Sequence, residues 1–205
     1  MQAIKDIQEE RRVMLDSVAS RMGNKTIELS HISKHYGEKV LISDYSYIFL
    51  KHDRIGIIGP NGAGKSSFLR HVLAFLKTES KESMKIGDVP ADDYPRKKLA
   101  RLLSFVPQKT DIETDFTAEE IVMTGRTPYQ GRFEGISIGD KEAVYRAFSL
   151  TKADKLKDKK FAILSGGEKQ KIVIARAVAQ TTPWMLLDEP IASLDICLLY
   201  TSPSP

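Results

Sequence analysis

The chain has 205 residues, 41% hydrophobic and 28% charged, with a formal net charge of +4 and one cysteine, Cys197. That length suits one ordinary domain with room for a small insert, and the composition is that of a folded globular chain. A lone cysteine excludes an intrachain disulfide framework and agrees with a reducing cytosol, and apolar runs such as 185–187 are far too short to cross a bilayer. The charged start MQAIKDIQEERRVMLD has no apolar core and is not a secretory signal. The lysines clustered at 155–160 read as solvated surface, not as a nucleic-acid site.

Residues 2–22 are expected to form a charged helix, with Ile4, Ile7, Met14 and Val18 on a broken stripe, ended by Gly23-Asn24. Strands are predicted at 26–29 and 40–50, with Tyr36-Gly37 near the turn between them. A short apolar strand at 54–58 should run straight into a glycine-rich loop. A helix over 66–76 follows, with Phe68, Leu69, Val72, Leu73 and Leu76 at helical spacing. Residues 77–85 are polar and turn-like, 84–89 a short strand, 94–103 a helix, and 103–106 a strand stopped by Pro107. Thr117-Ala118-Glu119-Glu120 is a capping box opening a helix through Met123. Residues 125–139 are loop-rich, 140–149 and 168–180 are helices, and 184–187 is a buried strand. Strands alternating with helices indicate an α/β domain whose parallel strands are covered on both faces, and no internal repeat is visible.

Three segments carry chemistry. In the first, GPNGAGKSS, the glycines Gly59, Gly62 and Gly64, with Asn61 among them, let backbone N–H groups converge on phosphate oxygens. The helix starting near Lys65 adds its positive end. Lys65 would reach the β- and γ-phosphates of ATP, the Ser66 hydroxyl would ligate Mg²⁺, and Ser67 adjoins it. In the last segment, MLLDEP, a strand delivers two carboxylates to its carboxyl end, where ligands of open α/β sheets bind. Asp188 suits magnesium and Glu189 suits polarising a water. Between them, LSGGEKQ sets Ser165, Gly166 and Gly167 at a helix start, where they form a second anion site or a simple N-cap with flexible glycines. Gln108, after the strand ending at Pro107, could reach the metal or the water; a surface glutamine is the plainer reading. Tyr36 could stack on adenine or pack the turn, and Ser193-Leu194-Asp195 is an intersubunit contact or a polar turn.

On these residues the chain resembles the ATP-binding cassette (ABC) ATPases. Tyr36 matches the family's adenine-stacking aromatic, Gly59–Ser66 its Walker A, Gln108 its Q-loop, Leu164–Glu168 its signature, Asp188 and Glu189 its Walker B and catalytic base, and Ser193–Asp195 its D-loop. The resemblance implies a P-loop NTPase with a β-rich amino-terminal portion and an inserted helical subdomain at about 109–165, within an ATP-binding domain over 25–196. It also implies ATP and Mg²⁺ as ligands, with Glu189, Lys65 and Gln108 in catalysis. Two cassettes pack head to tail in that family, each nucleotide lying between one chain's phosphate loop and the partner's signature. The partners implied are a second cassette and membrane permease subunits, with no direct nucleic acid unless the chain is an ABC-F protein, a family of ribosome-acting ATPases. The implied location is cytoplasmic, peripheral on the inner membrane.

From 68 to 196 the chain resembles the ATPase subunit of iron–siderophore, haem or cobalamin importers, through LLSFVPQ, DFTAEEIVMTGRTPYQGRF and ILSGGEKQKIVIARAVAQ. From about 17 to 67 it is similar to the second cassette of the ABC-F proteins, ribosome-acting ATPases, with 1–24 as a linker tail. The expectation is therefore a chimera joined near 59–67, with an ABC-F translation factor as the second functional reading. The end, CLLYTSPSP at 197–205, resembles a translated library adaptor and is expected to be non-native. No histidine follows the 185–190 segment, so a truncated cassette is expected, with an inactive fragment as the third reading.

Overall fold

In the amino-terminal part of the computed structural model, β1 (Ile27–Tyr36) and β2 (Lys39–Phe49) pair antiparallel, in register from Ile27↔Phe49 to Tyr36↔Lys39. The described residues of the chain are 27–36, 39–50, 53, 55–57, 65–72, 84–87, 89–108, 114–131 and 134–188. The helix expected at 2–22 and the tail at 197–205 lie outside them.

β1 runs beyond the predicted 26–29 because bulges absorb the break in its alternation. The register shifts three times between Leu29 and His35. At the first shift His31 and Asp44 take left-handed backbone conformations, φ 51° and 46°, and bridge each other through Nδ1 and Oδ1. Across the strands, Ser46 Oγ accepts from the His31 N–H at 2.8 Å and Ser33 Oγ from the Asp44 N–H at 3.0 Å. These side chains satisfy donors that the distorted ladder leaves over. β3 (Met84–Ile86) pairs with the other edge of β1, and β4 (Val89–Pro90) closes a sheet of order β2-β1-β3-β4. Ile27, Leu29, Ile32, Met84 and Ile86 form its buried row.

The remaining elements are α1 (Lys65–Val72), α2 (Arg96–Leu99), β5 (Leu103–Val106), α3 (Ala118–Met123), α4 (Ile138–Leu150), α5 (Gly166–Ala179) and β6 (Trp184–Leu187). The helix predicted over 94–103 is only one turn long, because residues 100–102 turn into β5. β5 and β6 pair parallel, Leu103↔Trp184 through Val106↔Leu187. β6 is half-buried rather than buried, pairing with β5 alone among the described residues. The strand expected at 54–58 is also corrected. Residues 55–57 form no ladder among the described residues, and Ile55 and Ile57 are 44% and 41% exposed. Apolar character alone does not make a strand without a partner to take its backbone hydrogen bonds.

α5 packs against α3 and α4, and Val106, Val122, Val144, Phe148, Phe161 and Ile172 belong to the core they share. The approach of α3 to α5 is fixed by Gly125, just beyond α3, where an added Cβ would lie 2.3 Å from the Arg176 carbonyl oxygen. The chain divides into two compact units, Met1–Ile55 with Ser80–Ala91, and Gly56–Glu79 with Asp92–Pro205. No helix among the described residues is long and apolar enough to cross a membrane.

Candidate nucleotide site

β6 ends at Leu187, and the next residue, Asp188, is only 3% exposed. Its N–H donates to the Val106 carbonyl at 2.9 Å, so the parallel ladder carries past the strand and holds the backbone at its carboxyl end. There the Asp188 carboxylate accepts a hydrogen bond of 2.9 Å from the Ser66 hydroxyl, on the second residue of α1. Two residues 122 apart in sequence thus present two oxygens at one point. A hydroxyl and a buried carboxylate so placed are hard donors suited to a small divalent cation that also keeps water or phosphate oxygens. No group of three or more His, Cys, Asp or Glu that could hold a metal occurs among the described residues.

Lys65 is the first residue of α1 and half-buried, and α1 carries no acid in its first turn that would compete for an anion. Gln108 lies two residues beyond β5 and is exposed. Because Val106 pairs with Leu187, Gln108 and Asp188 leave adjacent strand ends. Ser67 is the third residue of α1, and Tyr36 closes β1, with its side chain outside the described atoms. Gly59, Asn61, Gly62, Gly64, Glu189 and residues 193–195 lie outside the described residues.

The second cluster opens α5. Ser165 Oγ accepts from the Glu168 N–H at 3.4 Å, and Glu168 Oε2 accepts from the Ser165 N–H at 2.9 Å and hydroxyl at 2.8 Å. The Ser165 N–H, and after it the Ser165 hydroxyl, hold the Glu168 carboxyl below the ordinary glutamate range. So the N-cap reading of Ser165 holds. The glycines are a separate matter. A Cβ at Gly166 or Gly167 would meet nothing within 4 Å, and neither residue needs a left-handed backbone. Both are exposed, and neither N–H has an acceptor among the described residues. Packing requires glycine at 125 but not at 166 or 167; bare amides at a helix start are what an incoming anion uses.

The sequence reading missed one buried device in the stretch assigned to loop. Arg126 donates through Nε to Asp140 Oδ1 at 2.8 Å, and through one terminal nitrogen to the Ala179 carbonyl at 2.8 Å and Thr181 Oγ1 at 2.9 Å. Its guanidinium lies 4.0 Å from the Tyr129 ring centroid. Asp140 also accepts from the N–H and hydroxyl of Ser137, the cap of α4. Arg126 first, then Ser137, hold its carboxyl below the ordinary aspartate range. The device ties the exit of α3 and the start of α4 to the end of α5. The Ser137–Asp140 spacing was the available signal.

Residues 42–192 match the ABC transporter family, a span that includes both the glycine-rich loop and the 164–170 segment. The chain belongs to the ABC transporter family. Among its ABC relatives, the petrobactin import ATP-binding protein YclP of Bacillus subtilis is 36% identical over 172 residues, which cover 83% of this chain and 66% of that protein. The hemin import ATP-binding protein HmuV of Thermobifida fusca is 32% identical over 174 residues, covering 85% and 60%. The dimeric structure of MJ0796, a bacterial ABC transporter cassette, superposes with a TM-score of 0.69 at 25% identity, covering 84% of this chain and 77% of that one. The chain spans 63%, 66% and 60% of the length of three curated ABC relatives it matches.

Proposed function

We propose that this chain is the ATP-binding and ATP-hydrolysing cassette of an importer for iron chelates, a siderophore or haem, with cobalamin as a neighbouring cargo. The single observation that carries the reading is the Ser66 hydroxyl held 2.9 Å from the buried Asp188 carboxylate at the end of a parallel strand pair. Two import proteins among the relatives support the cargo class.

Lys65, with the amides of Gly59, Asn61, Gly62, Gly64, Ser66 and Ser67, binds the β- and γ-phosphates, and Tyr36 stacks on adenine. Ser66 and Asp188, with Gln108, would hold Mg²⁺. A bound Mg²⁺ would supply positive charge against that of the nucleotide phosphates. Glu189 takes a proton from the attacking water as general base. Ser165, Gly166 and Gly167 receive the γ-phosphate of a nucleotide carried by a second cassette. Closing and opening of that pair is passed to membrane permease subunits through the insert that follows Gln108, at the cytoplasmic face of the membrane.

Titration with a fluorescent ATP analogue and Mg²⁺ tests the binding part. Lys65→Ala should weaken affinity about tenfold or more, because it removes a charge-assisted phosphate contact. Glu189→Gln should keep the affinity and lose turnover. Equal affinity in the parent chain and Lys65→Ala would sink the phosphate assignment. Undiminished ferric siderophore and haem uptake in cells deprived of the chain would sink the import assignment.

A further inference from the structure

Gln170 lies in the second turn of α5, is 1% exposed, and its Nε2 donates to nothing among the described residues. A buried amide donor without an acceptor lowers stability, and an apolar side chain of the same volume would not. At 3.6 residues per turn, positions 170, 173, 177 and 180 share one face. Val173 and Ala177 on that face are buried, and Gln180 at its foot donates to the carbonyls of Leu103, at 3.0 Å, and Ala100. The face therefore looks onto β5. From Gln180 back to Gln170 the helix climbs about 15 Å, and from Leu103 to Gln108 an extended chain climbs about 16 Å. With α5 running antiparallel to β5, these equal rises bring the orphan amide level with Pro107 and Gln108, where the chain leaves β5 beside Asp188. One turn of α5 away are the bare amides of Gly166 and Gly167.

We propose that Gln170 is a positioning residue: its Nε2 donates to a main-chain carbonyl at Pro107–Gln108 when Mg-nucleotide engages Gln108, and so ties the Ser165–Gly167 cradle to nucleotide occupancy. The inference rests on the reading of Gln108 and Asp188 as nucleotide-site groups. One helix then reports on one site: a filled site stiffens the start of α5, and an empty one leaves it loose.

Amide hydrogen exchange of the full chain, with and without Mg²⁺ and a non-hydrolysable ATP analogue, tests the link. In the parent chain the analogue should slow exchange of the 169–173 amides by about threefold or more, the scale of a local opening equilibrium shifted by a single contact. Gln170→Met should keep the analogue's affinity and show an equal or higher Tm without nucleotide, yet lose the slowing; Gln170→Leu serves as a second apolar variant should the first fold poorly. A merely structural glutamine would change Tm alone. Slowing retained in both variants overturns the proposal, as does its absence in the parent chain when the analogue binds. Failure of the parent chain to bind the analogue is a separate outcome: it defeats the functional reading and the coupling with it.

Discussion

The starts of α3 and α5 share one device and put it to different ends. Each opens with a hydroxyl cap and a glutamate that reaches back: Thr117 with Glu120, Ser165 with Glu168. At α3 the next two N–H groups are taken by the chain itself, Ala118 donating to the Lys159 carbonyl and Glu119 to that of Lys157, both at 2.9 Å. Ala118 is fully buried. At α5 the corresponding residues are two exposed glycines whose N–H groups stay bare among the described residues. The start of α3 uses its spare donors internally, whereas the start of α5 leaves them bare, as does that of α4, where the N–H groups of Ile138 and Gly139 have no acceptor among the described residues. Neither the capping box nor bare amides alone set α5 apart; its two successive glycines, where an added Cβ would meet nothing within 4 Å, do.

The sharpest way to break the comparison is to loosen the frame that carries both starts. Arg126→Met leaves Asp140 buried without its cation, and urea unfolding should show a loss of about 3–5 kcal/mol. A loss under about 1 kcal/mol would mean the pair carries no weight. The same pair sets an acid limit. Its carboxyl has a folded-state pKa below the unfolded one, so its contribution is complete above the unfolded aspartate value of about 3.9 and is lost as pH falls below that toward the folded value. Arg126→Met should flatten that acid-side slope in thermal melts taken across pH.

Next in size is Gly125→Val, whose side chain would collide with the Arg176 carbonyl and push α3 from α5, at about 1–3 kcal/mol. Smaller and matched are Thr117→Ala and Ser165→Ala, each costing about 1 kcal/mol in urea unfolding as a lost cap. Only the second should impair nucleotide-driven pairing of two chains, read by light scattering. The smallest effect on stability is the most telling. Gly166→Ala should leave stability unchanged or raise it by about 0.5 kcal/mol, since nothing obstructs the new methyl group, whereas Ala118→Gly should cost about 1 kcal/mol or more. If Gly166→Ala left nucleotide-driven pairing intact, the bare-amide account of α5 would fail.

Most of the carboxyl-terminal unit was legible from local signals. The capping box at Thr117, the strand stopped by Pro107 and the strand leading to Asp188 each announce themselves within a few residues. What could not be read depends on distant neighbours. The extent of β1 past Leu29 rests on bulges that a partner strand accommodates, and 55–57 finds no partner strand among the described residues. The Arg126–Asp140 pair joins two positions in a stretch without periodicity, and the role of Gly125 appears only once α5 lies against it. Within the candidate site, residue types were readable but convergence was not. Ser66 and Asp188 are each ordinary in sequence, and only the fold brings them into one hydrogen bond.

That bond has a kinetic side. It closes across 122 positions, and β5 meets β6 across a shorter but still long stretch that holds α3, α4 and α5, so both contacts wait on the packing of those helices. Such long-range parallel pairing is slow, because the entropy of closing the loop must be met before the contact repays it. The two oxygens are therefore among the last parts of the molecule to find each other. A newly made chain would bring Ser66 and Asp188 together only when folding is nearly finished, which makes their hydrogen bond a marker of completed folding.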